Sequence, residues 1–134
     1  MVIEDFRAAL LQETHRAVDD ATQGVMRTLI DGKSDLTYPP GIELTDGESE
    51  AVGALRLSPD ARSALEKIVR DAASYPLFHL FTLIDAIGDP RDWTGPWLGA
   101  KLSPRLAGDV DTRGAMWHDD FYDSYRTYHD SRER

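Results

Sequence analysis

Four residues have the side-chain chemistry for a reactive or metal-binding site: His79, Asp85, His118 and Asp119. Imidazole and carboxylate ligate hard or borderline divalent metals, and imidazole also moves protons near neutral pH. His79 and Asp85 lie in the most apolar stretch of the chain, Leu77 to Ile87, where an unpartnered charge is costly. Each therefore needs a hydrogen-bond partner or a ligand. Six positions apart, they leave an ideal helix on different sides, so one helix cannot form a two-ligand site from them. His79 fits a hydrogen-bonded core histidine. Asp85 opposes the dipole at the end of a helix and calls for a strong donor, such as Lys101, Arg91, a tryptophan N–H or the amides of the following loop.

His118-Asp119-Asp120 resembles the metal-binding His-Asp dipeptide of HD-type phosphohydrolases. The resemblance covers that dipeptide alone. The remaining ligand positions of that family have no placed counterparts in this chain. From side-chain chemistry alone, His79, Asp85, His118 and Asp119 would bind a divalent metal if the helices pack suitably, which is the expectation of a small metal-dependent hydrolase or ligand-binding enzyme. The competing reading is a solvated helix start, where carboxylates favour the dipole. No other catalytic signature occurs: the chain has no phosphate-binding glycine loop, no Gly-x-Ser-x-Gly elbow and no His-Glu-x-x-His helix. With no cysteine, disulfides, thiolate catalysis and sulfur-based zinc sites are excluded.

The formal net charge is -9, and Asp plus Glu outnumber Lys plus Arg by 12 to 5 through Asp60 but only by 12 to 10 beyond it. Such a surface repels phosphate backbones and attracts basic proteins. Glu43, Asp46, Glu48 and Glu50 follow one another with no Lys or Arg between them, and so form the expected contact region. The first functional expectation is a non-catalytic, cofactor-free, acidic protein-binding domain that neutralises a basic protein, by analogy with bacterial toxin-immunity proteins. That analogy is one of size, charge and missing catalytic motifs. The metal-dependent enzyme is the second expectation. The acidic N-terminus and the lack of a membrane-length apolar run predict a cytoplasmic protein that binds neither membrane nor nucleic acid. The aromatic last helix offers either a protein-binding face or a homodimer contact.

The elements that must position these residues are mostly helical, within one expected domain over residues 1–134. Apolar residues from Ile3 through Phe6, Leu10, Ala17, Ala21, Val25 and Leu29 predict a long helix that stops at Gly32. Thr45 and Glu48 form a capping-box pattern ahead of Ala51, Val52 and Leu55. Ser58-Pro59 opens a third helix on Ala61, Leu65, Ile68, Val69 and Ala72, and Pro76 predicts a break in it. A buried central helix then follows over 77–87, closed by Gly88 and Pro90. A last helix resumes near Arg113 and places Trp117, Phe121, Ser124 and Tyr128 on one face, with Tyr122 and Tyr125 beside them. Leu65, Ile68, Phe78, Phe81 and Ile84 are the expected core. Leu55-Arg56-Leu57-Ser58-Pro59 is echoed by Ala100-Lys101-Leu102-Ser103-Pro104, which suggests two extended segments. The expected class is mainly α: a compact bundle of about four main helices, with a small two-stranded β element formed by those segments.

Overall fold

The computed structural model describes residues 5–108 and 117–132. They hold five helices: α1 (Phe6–Asp31), α2 (Asp46–Gly53), α3 (Pro59–Ile84), α4 (Trp117–Asp123) and α5 (Tyr125–Arg132). The mainly helical class holds. The two-stranded element does not form among the described residues, because the echoed segments diverge. Ser58-Pro59 opens α3, whereas Ser103-Pro104 lies in irregular chain.

α1 starts where the Asp5 carboxylate accepts the Arg7 N–H at 2.9 Å. It ends at Gly32, which takes a left-handed conformation (φ 68°) and returns its N–H to the Thr28 carbonyl. α1 and α3 are each 26 residues long, about 39 Å of helix. They run antiparallel, since Asp19 meets Arg70 and Gln23 meets Glu66. Val18, Thr22 and Met26 are the buried side chains of the seam. Thr22 belongs there despite its hydroxyl, which donates to the Val18 carbonyl at 2.8 Å and leaves no unpaired polar atom. This stripe lies one residue on from the one expected from Ala17, Ala21 and Val25, all three of which are exposed.

The Ser58 hydroxyl caps α3 by accepting the Ala61 N–H at 3.2 Å. Contrary to expectation, Pro76 does not divide α3, which continues to Ile84. Only the Ala72 carbonyl loses its helical donor, and Ala72 and Pro76 are both exposed, so water can reach the freed group. The segment after Pro76 is not a buried central helix either. Phe78 is 67% and Ile68 62% exposed, while Leu65, Phe81 and Ile84 are half-buried against the seam.

α3 closes before Gly88, at Asp85 and Ala86. The Ala86 N–H donates to Leu83 at 3.2 Å and the Ile87 N–H to Thr82 at 2.9 Å, the paired bonds of a Schellman ending. Ala86 occupies its left-handed position at φ 55°, where glycine is usual. The irregular chain around Trp97 caps this end. The Trp97 indole N–H donates to the Leu83 carbonyl at 2.6 Å, and the Ala100 N–H to Ile84 at 3.0 Å. Gly99 permits the approach, because a Cβ there would collide with the Ile84 carbonyl.

α2 carries the expected capping box: Glu48 N–H to the Thr45 hydroxyl at 3.2 Å, and Thr45 N–H to the Glu48 carboxylate at 2.8 Å. It packs on the end of α1, where a Cβ on Gly32 would lie 2.8 Å from the Ser49 carbonyl and 3.0 Å from the Gly53 Cα. The expected last helix is divided at Ser124 into α4 and α5, and its proposed start at Arg113 lies outside the described residues.

Two glycines of this region should respond in opposite directions to alanine. A Cβ at Gly24 meets nothing within 4 Å, so Gly24→Ala should raise unfolding free energy by about 0.5–1 kcal/mol. At Gly32 the positive φ and the Ser49 contact should make Gly32→Ala destabilising by about 1–3 kcal/mol. Urea denaturation of the two variants measures both signs.

Candidate functional site

The four residues considered as metal ligands occupy separate surroundings. His79, exposed on α3, stacks on Tyr75 one turn earlier, with ring centroids 6.3 Å apart and planes at 5°. Asp85 is the exposed C-cap of α3. Its carboxylate is therefore solvated, and the dipole at that helix end imposes no need for a buried donor. His118 and Asp119 begin α4, their Nε2 and Oδ1 atoms 3.3 Å apart and both side chains exposed. Among the described residues no group of three or more His, Asp or Glu side chains could hold a metal ion. The structure thus brings together only the two neighbours in sequence.

The acidic residues form a more coherent feature. Asp46, Glu48 and Glu50 lie on α2, Glu43 just precedes it, and all four are exposed. Glu48 is committed to the capping box. Glu43, Asp46 and Glu50 form no ion pair with any described residue. The Arg56 guanidinium makes no ion pair with them and donates instead to the Gly53 and Leu55 carbonyls at 3.2 and 3.0 Å. The close Gly32 and Gly53 backbones fix α2 against α1, so this acidic end is held by packing.

The sequence reading missed an apolar groove between α1 and α3. One stretch, of about 400 Å³, is lined by Leu11, Val18, Tyr75, Leu77, Phe78 and Phe81. A second, of about 370 Å³, shares Leu11 and Phe81 and continues past Phe6, Leu10, Ile84 and Leu102. The signal lay in the all-round apolar character of 77–87, which was assigned to a closed core. Only part of that surface faces α1, and the rest remains open.

The aromatic residues of α4 and α5 gather on Tyr38. Its ring stacks on Phe121 at 5.3 Å and 16°, and meets Tyr125 edge-on at 5.2 Å. The Tyr122 hydroxyl lies 3.4 Å from the Thr37 hydroxyl. These rings thus hold α4 and α5 to the segment that leads into α2.

No family model matches the chain, and no curated protein or solved structure is significantly similar to it. Among the described residues, no helix is long and apolar enough to cross a membrane.

The Tyr38 contacts should control access to the C-terminal helices. Aromatic pairs contribute about 0.5–1.5 kcal/mol each beyond area burial, so Tyr38→Ala should speed tryptic cleavage after Arg126 about tenfold or more. Circular dichroism should retain the α1 and α3 signal. Unchanged cleavage would show that α4 and α5 are held by other contacts.

Proposed function

We propose that this chain is a non-catalytic, acidic protein-binding domain whose α2 end receives a basic protein, neutralising it in a cytoplasmic setting. The observation that carries the reading is the exposure of Glu43, Asp46 and Glu50 without an ion pair to any described residue. Like-signed carboxylates on a fixed short helix make a local field that raises the encounter rate of a cationic partner. The net charge of -9 extends the same bias over the molecule. Recognition of this kind needs no cofactor.

Glu48 contributes to the field but is a poor residue to test, because replacing it also breaks the α2 cap. Glu43→Lys with Glu50→Lys changes the charge and leaves the capping pair intact. Surface plasmon resonance against a panel of small proteins of defined positive charge should show association slowed about tenfold or more at low salt, with dissociation little changed. Raising ionic strength should remove most of the difference, since the screening length falls to about 10 Å at 0.1 M. Equal association rates for the native and reversed proteins, or indifference to salt, would refute the electrostatic reading.

A further inference from the structure

We propose that the open apolar face of the α1 and α3 hairpin is the contact with a second copy of this chain, two hairpins closing face to face into a four-helix bundle. The inference uses a different surface from the acidic α2 end and stands independently of its role.

The first argument is the size of the interior. Among the described residues, Val18 and Met26 are the only buried apolar side chains, while Tyr75 is 68%, Phe78 67% and Leu11 36% exposed along one groove. Two antiparallel helices share one seam and have no second layer to cover their remaining apolar surface. A second hairpin supplies that layer.

The second argument is area. A compact chain of 15.0 kDa exposes about 7,000 Å². This chain exposes 11620 Å². The fourteen residues outside the described ranges account for at most about 160 Å² each, which still leaves an excess above roughly 2,000 Å². A stable dimer needs about 800 Å² from each partner, and the surplus, although spread over the whole chain, is large enough to include that area.

The third argument is fit. The groove follows residues 6–18 of α1 and 71–84 of α3, and the same stretch of a second copy, turned about a two-fold axis through the groove, fits against it. A two-fold contact is also self-complementary by construction. Charge favours the antiparallel arrangement. Arg7 and Lys101, with Asp85, border one end of the groove and Asp71 the other. A parallel pairing would set the two cationic ends together, whereas the antiparallel one turns each toward its partner's Asp71.

Sedimentation equilibrium of the native chain should give twice the 15.0 kDa mass at micromolar concentration. Phe78→Glu should raise the dissociation constant at least about thirtyfold, as for a central aromatic contact. Because Phe78 is 67% exposed in the single chain, helical circular dichroism should be unchanged. Tyr75→Glu should act in the same direction and serves as a second probe should the first variant fold poorly. Ile30→Glu, at an exposed site outside the groove, should leave the dimer intact. A native chain monomeric at about 100 µM, or a dimer disrupted by Ile30→Glu but not by Phe78→Glu, would overturn the proposal.

Discussion

The seam between α1 and α3 is the contact from which the other elements take their positions. Its apolar part is short, and a polar anchor fixes its register. The Arg70 guanidinium donates to Asp19 across the seam at 3.1 Å and to Glu66 on its own helix at 3.3 Å. Gln23 reaches the same Glu66 carboxylate at 3.4 Å. Each contact is partly exposed and worth only a fraction of a kcal/mol on its own. Together they define one alignment of two long helices whose apolar residues alone would tolerate sliding. A slip by one turn would separate Asp19 from Arg70 and displace Met26 from its pocket.

Close backbone approaches shape both ends of this hairpin. At one end the Gly32 and Gly53 backbones meet; at the other, Gly99 lets the chain pass the last carbonyl of α3. The Trp97 indole, edge-on to Trp93 at 5.4 Å, completes the second closure through its bond to Leu83. There the Ile84 carbonyl gains the Ala100 N–H as a donor, and the Leu83 carbonyl gains the indole in addition to the Ala86 N–H. The irregular segment after α3 thus has a definite structural role despite its lack of regular structure.

Signals that act within a few residues were legible in the sequence. Ser58-Pro59, the Thr45 and Glu48 pair, and Gly32 each determine a helix end through a local bond, and each does so in the structure. Features that depend on distant packing were not. Pro76 forbids only one hydrogen bond, and residues on both sides of it pack against α1, so the helix continues. The buried stripe of α1 was obscured because Thr22 counts as polar until its hydroxyl is seen bonded to its own helix. The run over 77–87 looked like an interior because composition records apolar content but not whether another element covers it. The acidic residues were legible as charges, whereas the commitment of Glu48 to a cap required knowing that α2 forms.

The Gly32 and Gly53 contact also alters the chain entropy of assembly. The connection between α1 and α3 runs from residue 32 to residue 58, a long loop to close before the seam can form. Docking α2 brings position 53 beside position 32 and leaves only residues 54–58 to span the rest. Loop closure scales with the logarithm of length, so this shortening lowers the entropic cost of bringing α3 into place by about 1.5 kcal/mol. The small second helix, which has no buried residue of its own, thereby shortens the stretch of free chain between the two long helices.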